Sequence, residues 1–391
     1  LAAYAVDFNG SEIFSIGFRD LSNGEDLPDI VENTNGNLAW YQDSNAILYT
    51  VLDDNHRPHG VRCHYLGANP KDDLWVYKEQ DPGFFVGVST LESRRYIVIS
   101  AHDHQTSEAH LVSARGPHEP PQLVAPRQAG TEYYLSDQND RFLIRTNADN
   151  AEDFKIMSAP LEAPGRENWT EVLACDPGRL ILSLTTFKNY WVRMEYVDAL
   201  PRIVISDPHG VEHAITFDEE AYALTLHKSF EFDTSTVRFS YSSMTTPEQV
   251  FDYDMSDRKR KIRKEQEVPC GHDPTHYLAR RLSLPAPDGE LVPVTLLYRR
   301  DMSLDGKAPV FLSGYGAYGI SIPASFNVSR LSLVDRGFIY AIAHVRGGRE
   351  KGYNWYKLGR MDNKKNTFID FIAAADGLIA EGMATAGRIA A

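Results

Sequence analysis

The chain has 391 residues, more than one ordinary domain of roughly 100–200 residues needs. Hydrophobic residues make up 42% and charged residues 24%, the balance of a globular protein with sizeable cores. Its 54 acidic and 40 basic residues leave a formal charge of −14, which argues against sequence-independent nucleic-acid binding.

No run of 18 or more apolar residues occurs, so no transmembrane helix and no membrane partner are expected. Cys63, Cys175 and Cys270 are widely separated and odd in number. They predict neither a disulfide framework nor a C-x-x-C metal knuckle, and they fit the reducing cytoplasm. The start Leu1-Ala2-Ala3-Tyr4 lacks both an initiator Met and a signal-peptide pattern, so Leu1 is not expected to be a native start.

From residue 1 to about 270 the pattern is one of short strands between Asn, Asp, Gly and Pro turns. Tyr4–Phe8 and Glu12–Leu21 read as the trailing half of a unit. Strands then begin at Ala46, Tyr96, Phe142, Trp191 and Val237, spaced 50, 46, 49 and 46 residues apart. A short strand precedes each of them, for example Leu38–Tyr41 and Ala223–Leu226, and another follows, for example Gly60–Leu66 and Gln249–Tyr253. Three or four strands per unit at this period predict a β-propeller, because each small sheet buries its faces only by stacking on its neighbours. The basic run Arg258-Lys-Arg-Lys261 with Arg263 and Lys264 is expected on an edge strand, which charge protects from pairing with other chains.

After about residue 270 the pattern changes. Arg280–Leu284 and Val292–Tyr298 flank an Asp-Gly hairpin turn. Strand Val310–Ser313, a helix around Phe326–Arg336 and the continuous apolar strand Gly337–Ala343 follow, the last read as a strand covered on both faces. Thr367-Phe-Ile-Asp370 reads as a capping box, opening a helix with Phe368, Phe371, Ile372, Ala375, Leu378 and Ile379 on one face and a stop at Glu381-Gly382. Arg388–Ala391 reads as the start of another buried strand. This alternation predicts a doubly wound sheet, giving a propeller over 1–270 and a partial α/β domain over 271–391.

Two loops carry chemistry. Gly314-Tyr-Gly-Ala-Tyr-Gly319 leaves strand Val310–Ser313. As a tight turn it needs no ligand. As a site, its glycines let the backbone approach a ligand and turn the Tyr315 hydroxyl toward a developing oxyanion. Its spacing is not that of a dinucleotide fingerprint. His344-Val-Arg-Gly-Gly-Arg-Glu350 leaves strand Gly337–Ala343, and the carboxyl ends of strands are where open α/β sheets bind ligands. A charged turn is the plain alternative; Arg346, Arg349 and Glu350 are the candidate substrate-binding residues. His102-Asp-His104 lacks a visible third ligand, so no metal is expected, and no cofactor is implied. No G-x-S-x-G elbow occurs in these residues.

Asp288-Gly-Glu-Leu-Val-Pro-Val294, Gly314–Gly319, Leu331-Ser-Leu-Val-Asp-Arg-Gly-Phe338, Ile342-Ala-His-Val-Arg-Gly-Gly348 and Lys364-Lys-Asn-Thr-Phe368 resemble the prolyl oligopeptidase family of serine peptidases. The nearest likeness is its oligopeptidase B branch, which Tyr241-Ser-Ser-Met-Thr-Thr-Pro247 also resembles. The resemblance implies a seven-bladed propeller, its first blade absent or incomplete here, capping an α/β-hydrolase domain. It implies Ser-His-Asp cleavage of short, basic peptides after Arg or Lys. Tyr315 matches the tyrosine that completes the oxyanion hole. The triad and the acids that hold the basic side chain are expected beyond Ala391, so residues 1–391 are expected to be inactive alone. Prolyl oligopeptidase or acylaminoacyl peptidase specificity, and a non-catalytic peptide-binding propeller, are the alternatives. Two departures stand out: Pro323 and Ser325 occupy positions where that branch carries two acids, and Arg349 replaces a glycine.

Overall fold

In the computed structural model, which describes residues 1–116 and 119–391, the short alternating runs pair with their sequence neighbours. Alternation puts apolar side chains on one face of each strand, and the polar turns reverse the chain before the next strand begins. The described chain divides into two units, Leu1–Ala151 with Lys155–Ala174 and Glu152–Phe154 with Cys175–Ala391.

The first unit holds a three-stranded sheet, Ala2–Val6, Phe14–Arg19 and Asp26–Thr34, and three four-stranded sheets built around Ala46–Leu52, Tyr96–His102 and Arg141–Thr146. All are antiparallel meanders, the blade architecture of a β-propeller. Strand Asp26–Thr34 extends the expected half-unit; its Asp, Glu and Pro residues hide a pattern in which Asp29, Val31 and Thr34 point inward. Asp29 is one of two carboxylates around the fully buried His64: Nδ1 lies 2.9 Å from Asp73 Oδ1 and Nε2 lies 3.3 Å from Asp29 Oδ1. Tyr49 donates to the other Asp73 oxygen at 2.8 Å. This network ties the first sheet to the second.

The second unit holds two further blades, around Trp191–Val197 and Thr236–Ser243, and a five-stranded mixed sheet. The basic run forms Lys259–Glu265, the outer strand of its blade and exposed along its length. Arg238 and Arg263 both grip Asp252 at 2.6 Å and hold its carboxyl below the usual carboxylate range.

The mixed sheet runs Tyr277–Pro285, Leu291–Arg299, Ile339–Ala343, Val310–Gly314, Ile389–Ala390. Its last three strands are parallel and its first two antiparallel. Ile339, Ala341 and Ala343 pack with Ala373, Ala374 and Leu378 of helix Lys365–Ala380. Tyr340 and Ile342 pack on the other face with Leu331 and Val334 of helix Val328–Val334. Covering on both faces is why this strand is apolar without alternation.

The long helix differs from expectation. It begins at Lys365, so Thr367 and Asp370 lie inside it rather than forming its capping box, and both are buried. Phe368 and Ile372 are exposed, while Phe371, Ala375, Leu378 and Ile379 face the core as expected. The helix is rotated because its first turns are fixed by polar contacts to a loop, not by its bulkiest apolar residues.

Candidate active site

Strands Val310–Gly314 and Ile339–Ala343 are parallel neighbours in register, Gly314 opposite Ala343. Both chains therefore leave the sheet at the same edge, and the two sequence motifs become one surface. Gly319 N–H donates to Gly347 O at 2.9 Å, and Gly347 N–H donates to Trp355 O at 3.0 Å. Gly316 (φ +66°) and Gly347 (φ +103°) occupy the left-handed region. A methyl group on Gly347 would collide with the Gly316 carbonyl, and one on Gly316 with Thr367 and Val345, so glycine is required for both conformation and space. Lys364 Nζ donates to Gly316 O at 2.5 Å and Thr367 Oγ1 to Arg346 O at 2.7 Å. Gly347→Ala in the full-length protein is expected to cost at least about 2 kcal/mol, from strain plus overpacking. Urea unfolding measures it, and an unchanged midpoint would show that the loops are not stitched in this way.

Tyr315 sits between two glycines of this stitched turn, 48% exposed. Its hydroxyl has no hydrogen-bond partner among the described residues, so it is free to donate to a ligand at the strand-exit edge.

Arg346 is 2% exposed. Its backbone N–H donates to Asp370 Oδ2 at 2.8 Å, its Nε–H to Asp370 at 2.9–3.0 Å and a terminal nitrogen to Asp370 Oδ1 at 2.5 Å. The other terminal nitrogen reaches Asp288 Oδ2 at 2.5 Å, which holds that carboxyl below the usual range. The guanidinium is thus consumed in a clamp between the loop, the long helix and the hairpin turn.

Arg349 lies against Gly319 with its guanidinium 5.5 Å from the ring centres of both Tyr353 and Tyr356. Glu350 is buried; its carbonyl accepts from Ala199 N–H at 2.9 Å. The chain then turns into helix Tyr353–Lys357, whose first N–H donates to Asp153 Oδ1 at 2.5 Å. The second Asp153 oxygen accepts from Gly178 N–H at 2.6 Å, and Lys357 pairs with Glu152 at 2.7 Å.

The structure therefore brings Tyr315, Arg346, Arg349 and Glu350 to one edge of the sheet. Sequence reasoning missed Asp370, Asp288, Thr367 and Asp153. Asp288 and Asp370 had been assigned to a turn and a cap, roles that hid their pairing, and nothing local marks Asp153. Among the described residues no three His, Cys, Asp or Glu side chains converge as metal ligands.

Residues 1–266 match the family description "Prolyl oligopeptidase, N-terminal beta-propeller domain", and residues 324–391 match "Prolyl oligopeptidase family". The chain is 38% identical over its whole length to 54% of dipeptidyl aminopeptidase BI of Pseudoxanthomonas mexicana. It is 30% identical, again over its whole length, to 56% of protease 2 of Moraxella lacunata. Among solved structures, oligopeptidase B from Leishmania major superposes with a TM-score of 0.91 at 30% identity, covering 99% of this chain and 56% of that one. Oligopeptidase B from Trypanosoma brucei does so with 0.90 at 34%, with the same coverage. The chain spans about half the length of these relatives.

Proposed function

Because the chain belongs to the prolyl oligopeptidase family, we propose that the full-length protein carrying it is a serine peptidase that hydrolyses short peptides on the carboxyl side of Arg or Lys. The observation that carries this reading is the pair of in-register strand exits, which puts the free Tyr315 hydroxyl at the edge where the sheet meets ligands. The basic preference is what the resemblance to the oligopeptidase B branch implies, and the likeness to protease 2 and to two oligopeptidases B agrees with that branch. In this reading the propeller runs over 1–270 and the first part of the hydrolase over 271–391.

Tyr315 O–H donates to the oxyanion that forms when the serine attacks the scissile carbonyl. The negative charge develops on the carbonyl oxygen, and a fixed donor stabilises it more than the neutral ground state. Arg346 positions the second loop through its carboxylate clamp. Arg349, half-buried, and Glu350, buried, serve substrate binding in this reading. In the same reading the full-length protein works in the cytoplasm, where Cys63, Cys175 and Cys270 would stay reduced.

A second reading, a peptidase that removes dipeptides from a free amino terminus, is favoured by the 38% identity to dipeptidyl aminopeptidase BI. Full-length protein assayed on matched peptides ending the acyl part in Arg, Lys or Pro is expected to cleave the first two. Cleavage after Pro with Arg ignored would replace this specificity by that of a prolyl oligopeptidase, and no cleavage of any would leave a peptide-binding scaffold.

A further inference from the structure

Glu350 is the residue of the second loop whose side chain the fold satisfies least. It is 4% exposed, and His344 beside it is 6% exposed. Glu350 Oε2 has no hydrogen-bond partner among the described residues. Its Oε1 stands 3.7 Å from His344 Nδ1, beyond hydrogen-bond reach. His344 Nε2 lies 2.8 Å from Thr295 Oγ1, while its Nδ1 also meets nothing. A buried carboxylate in this state is costly to maintain and marks a place where something else supplies the partner.

Both side chains line a cavity of about 30 Å³ with Tyr196, Tyr222, Thr295 and Pro323. That is room for one group the size of a water molecule. Burial and, after it, the Glu350 carboxylate push the Tyr196 phenol up to about 12. Oε2 carries lone pairs only, and in the tautomer whose Nε2–H donates to Thr295 Oγ1, Nδ1 is a lone pair too. A compact donor satisfies these atoms, and one that is positively charged also offsets the carboxylate. A guanidinium exceeds the space, and a transition metal asks for more ligands than one His and one Glu.

We infer that the His344–Glu350 cavity receives a primary ammonium group of the peptide substrate, either its free amino terminus or a lysine side chain. The peptide as its source rests on the peptidase reading above; the cavity's preference for ammonium does not. Two N–H donors meet Glu350 Oε2 and His344 Nδ1, and the charge of the ammonium offsets that of the carboxylate.

The test uses the full-length protein and three substrates with the same amide leaving group on the Arg carbonyl that differ in their amines: Ala-Arg-nitroanilide with a free amino terminus, acetyl-Ala-Arg-nitroanilide and acetyl-Lys-Arg-nitroanilide. At least one ammonium-bearing peptide is expected to show a KM about 10- to 100-fold below that of acetyl-Ala-Arg. The low value in the first identifies the amino terminus, and in the third the lysine. Glu350→Gln is expected to bring the ratio to within about threefold, and ammonium chloride to compete with the favoured peptide. Equal KM values for all three, or a ratio that survives Glu350→Gln, would overturn the substrate assignment. A second measurement does not need turnover: the melting temperature in ammonium chloride against tetramethylammonium chloride at equal ionic strength. A rise that disappears in Glu350→Gln is expected, and no rise in the parent protein overturns the site itself. If ammonium stabilises the protein but no peptide is cleaved, the peptidase reading falls and the cavity's ligand class stands.

Discussion

Replacing Tyr315 by Phe in the full-length protein is expected to lower kcat by about 10²–10³, the usual loss for one oxyanion donor, with KM little changed. The expectation follows from how the residue is held. Its backbone is fixed by the Gly316–Gly347 contact and by Lys364, none of which involves the phenol. Its ring is half exposed, and its hydroxyl bonds to nothing among the described residues. Removing one oxygen therefore leaves packing and melting temperature as they were and deletes only a donor realised in the transition state, which is the signature of a pure kcat effect. Steady-state kinetics on the best Arg or Lys peptide measures it. A kcat within about threefold of the parent's would remove Tyr315 from the oxyanion site, since even a weak charged hydrogen bond is worth more.

The largest expected stability effect belongs to the Arg346 clamp. Arg346→Met keeps most of the side-chain volume but leaves Asp370, which is fully buried, without its cation. Breaking a buried pair from one side costs about 3–5 kcal/mol, because the stranded charge keeps its desolvation penalty and loses its partner. Asp288 contributes less, since it is half exposed and water screens it. Urea unfolding is expected to show the loss in Arg346→Met and most of it regained in Arg346→Met with Asp370→Leu, where no charge is stranded. A single-variant loss under about 1 kcal/mol, the range of exposed pairs, would mean that the guanidinium is not committed to Asp370 and would return Arg346 to the residues available to substrate.

The blades were legible from sequence because strand alternation and turn chemistry are local, and five repeats of the same pattern reinforce one another. The two loops were legible because glycine clusters at strand exits have few uses, and parallel neighbours bring such exits together. The long helix was misread at its start for a physical reason. Thr367 and Asp370 have the spacing of a capping box, but both are turned toward the Arg346 loop. Committing them to that loop rotates Phe368 and Ile372 outward. Buried polar pairs leave no periodic trace, so Asp288 and Asp370 showed only their local alternatives. The unmet polar atoms of His344 and Glu350 were invisible for the same reason: sequence names the side chains but not what surrounds them.

Asp153 carries a consequence in time rather than in energy. Its carboxylate closes the first turn of helix Tyr353–Lys357 from 200 residues away along the chain. A ribosome adding about 5–20 residues per second takes roughly 10–40 s to cover that separation. Throughout that interval the tip holding Glu152 and Asp153 is complete but its later partner does not yet exist, and the loop behind the second motif cannot take its final form until the two meet. The segment that positions Arg349 and Glu350 therefore takes its final form only once helix Tyr353–Lys357 has been made and meets a tip synthesised 200 residues earlier.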